Sequence, residues 1–284
     1  MTFIKDVFKG ALIGVANVIP GVSGGTMALS MGVYEKIIHA INNLKKEFKQ
    51  SLKALLPFAI GVVLGIALLS FVIKYSLENF AVPTLMLFVG LILGGLSPII
   101  KKVENEQFKI THLISFLLFA AIIIVPTIIA GENSIVRDVN FSFVSIIIML
   151  FMGIISAASM VVPGVSGSMI LMMLGYYDTI ISNITLFIKS LTAFNFDGII
   201  SSCGILIPFG IGVILGIIVT AKIIERLLKK YPLATMWAIL ALVVVSPFAI
   251  LFNANLNTSI GGLIISALTF AIGFFISKKL GMDS

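Results

Sequence analysis

The chain has 284 residues, 59% of them hydrophobic and only 11% charged, with a mean hydropathy of +1.18. A soluble domain carries about 25% charged residues, so an ordinary cytosolic enzyme, a disordered protein and a disulfide scaffold are excluded; Cys203 is the one cysteine and can form no disulfide within the chain. The net charge of +7 does not point to nucleic acid, because the basic residues stand at the ends of apolar runs, where they mark the cytoplasmic face of a membrane protein.

Residues 10–34, 54–73, 79–100, 139–177, 198–221 and 231–277 contain no Asp, Glu, Lys or Arg. Uncharged runs of about 20 residues predict spanning helices. The roughly ten-residue alternation of barrel strands does not occur. The first run carries Pro20-Gly21-Val22-Ser23-Gly24-Gly25-Thr26-Met27 in its middle. Proline lacks an N–H and pushes the preceding residue out of the helical region, so a broken helical hairpin over 8–40 is expected, followed by helices over 54–73, 81–100 and 111–130. Beyond a polar join at 131–140, a second hairpin over 143–188 is broken at Pro163-Gly164-Val165-Ser166-Gly167-Ser168, and helices over 202–222, 233–251 and 260–277 complete the chain.

The two halves repeat. At an offset of 143 residues the Pro-Gly-Val-Ser-Gly segments coincide, Gly10 falls on Gly153, Gly32 on Gly175, Tyr34 on Tyr177 and Glu35 on Asp178. At an offset of 151, Pro57-Phe58 falls on Pro208-Phe209, and Gly61 and Gly65 fall on Gly212 and Gly216. A cleaved leader is not expected at the N-terminus, since a disposable segment has no reason to be duplicated. If each hairpin returns to the side it started from, 16 of the 19 basic residues share one face, with Lys74, Arg137 and Lys189 opposite; if each crosses, the division is 10 against 9. The positive-inside rule selects the first arrangement and puts both termini in the cytoplasm.

A hairpin plus three spans is an odd number of crossings, so the second half enters from the other side. The expected fold is an all-α polytopic membrane protein of two inverted-topology repeats, residues 1–131 and 141–284, each a broken hairpin plus three transmembrane helices. Many secondary transporters are built this way. The arm at 8–19 covers only about 18 Å at 1.5 Å per residue, short of a roughly 30 Å hydrocarbon core, so the first hairpin is expected to be re-entrant. The longer arm at 143–162 leaves the second hairpin re-entrant or spanning.

Ser23 and Ser166 are suited to cap the restarted helices, whose first N–H groups lie at Gly24-Gly25-Thr26 and Gly167-Ser168-Met169. Inside a bilayer these groups need partners, and a helix N-terminus carries about half a positive charge. Two such ends facing each other across inverted repeats make an anion site, suited to phosphate or carboxylate. The other reading is a pair of tight turns that let helices pack closely. The GxxxG-spaced pairs Gly61/Gly65 and Gly212/Gly216 are read in that second way.

Glu35 and Asp178 lie 11 positions past Gly24 and Gly167, about 16 Å along an unbroken helix, too far to touch an anion at the turn. They either couple protons or sit as interfacial acids, Glu35 paired with His39. Arg137 either gathers head groups through its guanidinium fork or pairs with Glu132 or Asp138. His39 and His112 are far apart in sequence, so neither a metal site nor a cofactor is expected. An enzyme such as a lipid phosphatase needs a nucleophile, a base and cationic clamps together, and the two His and two Arg are scattered along the chain.

The segments Pro20–Met27 and Pro163–Ser168 resemble those of the PopT family of bacterial polyprenyl-phosphate transporters, formerly a family of unknown function. The resemblance extends over the whole chain, including Tyr34-Glu35 and Tyr177-Asp178. It implies a transporter, not an enzyme, with undecaprenyl phosphate as substrate, moved from the outer to the inner leaflet of the cytoplasmic membrane for reuse in cell-wall synthesis. Ser23, Gly24, Gly25, Thr26, Ser166, Gly167 and Ser168 would then hold the phosphate, with Pro20, Gly21, Pro163 and Gly164 making the turns, while the tail stays in lipid. Membrane lipids are the other expected partner, and the residues leave the oligomeric state open. They stop at an anion carried within a membrane, and a transporter or channel for a small soluble anion fits them as well. The second copy has Ser168-Met169 where the first has Gly25-Thr26, so the two half-sites are not equivalent.

Overall fold

The computed structural model describes residues 2–19, 22–104, 106–129, 142–252 and 258–282, and all regular structure among them is helical. The first half comprises α1 (Thr2–Val18), α2 (Gly24–Ser30), α3 (Tyr34–Asn43), α4 (Phe48–Asn79), α5 (Ala81–Gly94), α6 (Ser97–Glu104) and α7 (Ile110–Ile129). The second comprises α8 (Phe143–Val161), α9 (Gly167–Leu174), α10 (Tyr177–Thr192), α11 (Phe196–Lys230), α12 (Pro232–Phe252) and α13 (Ile260–Met282). Among the described residues, six stretches are long and apolar enough to cross a membrane: Phe48–Leu69, Ala81–Glu104, Phe143–Val161, Phe196–Lys230, Pro232–Phe252 and Ile260–Gly281. The chain is therefore an all-α, multi-pass membrane protein. The 32 residues of α4 and 35 of α11 exceed the expected 54–73 and 202–222. At about 1.5 Å per residue they outrun the hydrocarbon, and their charged ends continue the helix into water.

Each broken hairpin has three helical pieces where two were expected. The first arm, α1, has 17 residues because the charged stretch around Lys5, Asp6 and Lys9 is helical too. It reaches about 26 Å, more than the 18 Å expected from residues 8–19. After the proline break, α2 runs for only 7 residues and α9 for 8. Both then stop at glycines in the left-handed region, Gly32 at φ 69° and Gly175 at φ 82°. Glycine has no Cβ to oppose this conformation, which commonly closes a helix. Beyond the second break the chain turns by 105° into α10, as a broken span or a re-entrant loop. The unbroken rod assumed between Gly24 and Glu35 is thus interrupted, and the 16 Å separation estimated along it does not apply.

The helices gather into two compact units that cut across the sequence halves. One contains Met1–Ile129, Val162–Val165 and Ala221–Ser284; the other contains Ala130–Val161 and Ser166–Thr220. In the first, α1 lies backbone to backbone on α4. A Cβ added to Gly10, Gly14, Gly61 or Gly65 would fall less than 3.0 Å from a carbonyl oxygen of the facing helix, those of Phe58, Val62, Val7 and Ala11 respectively. In the second unit α8 and α11 meet in the same way: Gly153 faces Phe209, Gly212 faces Leu150 and Gly216 faces Ile154. Val7/Leu150 and Ala11/Ile154 are 143 residues apart, so the same helix contact is built twice. Small residues are what such close approach in a membrane requires.

The rest of the first unit is reciprocal. The second span of the first half, α5, packs along the third span of the second half, α13, where Gly90 and Gly94 meet the backbone of Phe270 and Phe274. The second span of the second half, α12, packs on the third span of the first, α7, around Ile123, Leu242 and Ala249.

Candidate functional site

Ser23, in extended backbone at φ −106° and ψ 134°, is the residue at which α2 starts. Its hydroxyl makes no cap bond, is buried at 3% exposure, and has no hydrogen-bond partner among the described residues. The first donor of α2 is nevertheless taken. The Gly24 N–H donates to Asn17 Oδ1 at 3.1 Å, and a Cβ at Gly24 would lie 2.7 Å from the same amide. Gly24 was expected to offer that N–H to an anion; the side chain of the first arm occupies it instead. The N–H groups of Gly25 and Thr26 remain as the free donors of the turn among the described residues.

Thr26 has a second use that its sequence does not reveal. Its fully buried hydroxyl accepts the Gly164 N–H at 2.6 Å, across 138 positions of chain. Gly164 sits at φ 88°, and a Cβ there would lie 2.5 Å from the carbonyl oxygen of Leu242. The turn of the second motif is therefore locked in the first unit, between Thr26 and the backbone of α12. Accepting this bond leaves the Thr26 O–H free to donate once.

In the second unit Ser166 starts α9 from extended backbone at φ −95° and ψ 124°. Its hydroxyl is also buried but is paired with Ser168 at 3.0 Å. A Cβ at Gly167 would meet the Met160 side chain at 2.6 Å. Met160 stands 143 positions beyond Asn17, so each restarting glycine is covered by the side chain seven residues before it, an amide in one copy and a thioether in the other. Pro20, Gly21 and Arg137 lie outside the described residues.

The acids lie elsewhere. Glu35, in the first turn of α3, pairs with Lys102 of α6 at 2.5 Å, and both side chains are half exposed. His39, its expected partner, lies 3.7 Å from Glu225, which also holds Lys229 at 2.7 Å. Lys36 pairs with Asp6 at 2.7 Å. These contacts bring the ends of α1, α3, α6 and α11 together, residues the charge count assigned to one face. They border a cavity of about 670 Å³, walled by Glu35, His39, Lys102, Glu106, Glu225 and Lys229 over an apolar floor that includes Leu233 and Met236. No turn residue lines it. Asp178, in the first turn of α10, is exposed and makes no ion pair among the described residues. Among those residues there is also no group of three His, Cys, Asp or Glu able to hold a metal ion.

Comparison with known proteins matches residues 13–262 to the VCA0040-like family, described as undecaprenyl phosphate translocase-like. A Staphylococcus aureus protein named polyprenyl-phosphate transporter is 34% identical over 280 residues, 97% of this chain and 95% of that protein. A Vibrio cholerae protein of the same name is 26% identical over 246 residues, 81% of this chain and 72% of that one. No solved structure matches the chain. With a family match over most of its length, the chain belongs to the VCA0040-like, undecaprenyl phosphate translocase-like family.

Proposed function

We propose that this chain carries polyprenyl phosphate, specifically undecaprenyl phosphate, from the outer to the inner leaflet of the bacterial cytoplasmic membrane, for reuse in cell-wall polymer synthesis. The names of its relatives support the substrate. In the first unit the candidate phosphate ligands are Ser23, Gly25 and Thr26; in the second they are Ser166, Gly167 and Ser168. The observation that carries this reading is the Ser23 hydroxyl, buried and unpartnered at a helix break beside a Thr26 that is itself bonded to the other motif. An unsatisfied buried hydroxyl costs about 1–3 kcal/mol, and a phosphate oxygen accepting from it removes that cost.

The chemistry suits an amphipathic lipid. Its tail is stable in hydrocarbon, and only its charged head resists crossing. A path lined by hydroxyls and backbone N–H groups replaces the head's water without requiring a buried counter-charge at the turn itself. Alternating access follows from the inverted halves. Two features support a duplicated build of the halves: the reciprocal packing of α5 on α13 and α12 on α7, and the glycine contact made once by α1 with α4 and again by α8 with α11. The charge count supports cytoplasmic termini.

The test is transport by the purified chain in proteoliposomes. Labelled undecaprenyl phosphate should change leaflet, while chloride, acetate and inorganic phosphate should not be taken up and no phosphate should be released from the lipid. Uptake of a soluble anion with no lipid movement would replace this reading with a small-anion transporter.

A further inference from the structure

We propose that Asn17 is a positioning residue of the first hairpin: its amide oxygen holds the Gly24 N–H and yields it to the anionic head group, so that side chain and phosphate exchange at one donor. This deepens the reading of the first turn as an anion site and rests on it. Asn17 stands in the last turn of α1, and its Oδ1 accepts the first N–H of α2 at 3.1 Å. The amide lies flat on Gly24, where an added Cβ would be 2.7 Å from Nδ2 and 2.8 Å from Oδ1. Glycine is thus the residue that lets the amide reach the backbone. Asn17 is partly exposed, unlike the buried Ser23, Gly24 and Thr26, so its amide has room to turn away.

A seven-residue helix such as α2 is not an anion site through its first turn alone. The independent observation is the Ser23 hydroxyl at the same break, 3% exposed and with no partner among the described residues. One donor there is unsatisfied, and the next along the chain is satisfied by a neutral, uncharged acceptor. A bare N–H in hydrocarbon is costly, and Asn17 removes that cost whenever the head group leaves. Exchange of one acceptor for another keeps the N–H bonded throughout. Binding then gains only the difference between a neutral and a charge-assisted hydrogen bond. A carrier that must release its cargo benefits from that smaller difference.

The second copy separates packing from hydrogen bonding at this place. At the offset of 143, Lys9, Asn17, Thr26 and Ser30 fall on Met152, Met160, Met169 and Met173. Four positions that are hydrogen-bonded in the first copy all become methionine, an unbranched side chain that fills space without fixing it. Met160 lies against Gly167 in its own unit, 2.6 Å from where a Cβ would stand, as Asn17 lies against Gly24. Volume alone is therefore supplied by a thioether, which is only a weak acceptor. What asparagine adds in the first copy is the acceptor itself.

The experiment measures binding of farnesyl phosphate and of farnesol, its uncharged counterpart, to the full chain in nanodiscs. Asn17→Met no longer has a neutral hydrogen bond to break on binding, so farnesyl phosphate should bind roughly 2- to 13-fold more tightly, with farnesol unchanged. Asn17→Asp keeps an acceptor on Gly24 and adds a like charge, so farnesyl phosphate should bind at least about tenfold more weakly, again with farnesol unchanged. A merely structural asparagine does not move the two variants in opposite directions for the charged probe alone. Farnesyl phosphate binding that Asn17→Met leaves unchanged or weakens, or an equal change for both probes, overturns the proposal; a loss in both variants would make Asn17 a direct ligand instead. If Asn17→Met fails to insert, Asn17→Ala takes its place with the same expected gain and the same refuting results. Wild-type protein that moves undecaprenyl phosphate while the variants fail these expectations refutes this inference and leaves the transport reading standing; wild-type protein that neither binds nor moves it refutes both.

Discussion

Replacing Ser23 with alanine separates a binding hydroxyl from a structural one. The hydroxyl is buried, makes no cap bond to α2 and has no partner among the described residues. Leaving it so costs about 1–3 kcal/mol, so Ser23→Ala should leave the stability of the ligand-free protein unchanged or raise it by up to about 2 kcal/mol. A hydrogen bond from that hydroxyl to a charged phosphate oxygen is worth about 1.5–3 kcal/mol, so the same change should weaken binding of a polyprenyl phosphate by roughly 10- to 150-fold. Thermal unfolding in detergent reads the first quantity, and titration of the lipid into nanodisc-held protein reads the second. A variant that is less stable yet binds the lipid normally would show that Ser23 serves the fold, and the reasoning would fail.

Three further changes test neighbouring links. Thr26→Val removes the acceptor of the buried Gly164 N–H; it should cost about 1–3 kcal/mol of unfolding free energy, with Thr26→Ser recovering most of it. Gly212→Ala places a Cβ less than 3.0 Å from Leu150 O; it should destabilise by about 1–3 kcal/mol, and Gly61→Ala, against Val7, by a similar amount. Glu35→Gln breaks a half-exposed ion pair with Lys102; it should change stability by no more than about 1 kcal/mol, and less at high salt, as thermal melts at two ionic strengths would show.

Much of the fold was legible because a bilayer imposes it. Uncharged runs overlap each of the six apolar stretches found among the described residues, and the prolines at 20 and 163 fall in sequence between α1 and α2 and between α8 and α9. The second breaks were harder to read. Gly32 and Gly175 were matched as repeats, but a glycine inside an apolar run is compatible with a continuing helix, and packing decides whether it turns left-handed. Contacts between distant segments left no local signature. Asn17 reaches Gly24 back across a turn, Thr26 meets Gly164 from 138 positions away, and Glu35 prefers a lysine of α6 to the histidine one turn along its own helix. The one hint in the sequence was the exchange of Lys9, Asn17, Thr26 and Ser30 for methionine between the two copies, a pattern visible only once those polar side chains are seen to hold the first hairpin in place.

The location of the head group tests the central claim most directly. A structure of the chain with undecaprenyl phosphate bound should place the phosphate in hydrogen-bond contact with Ser23 and the Gly25 N–H, with the isoprenoid tail leaving into lipid. A phosphate found instead on Lys102 and Lys229, with both turns unchanged and untouched, would contradict it.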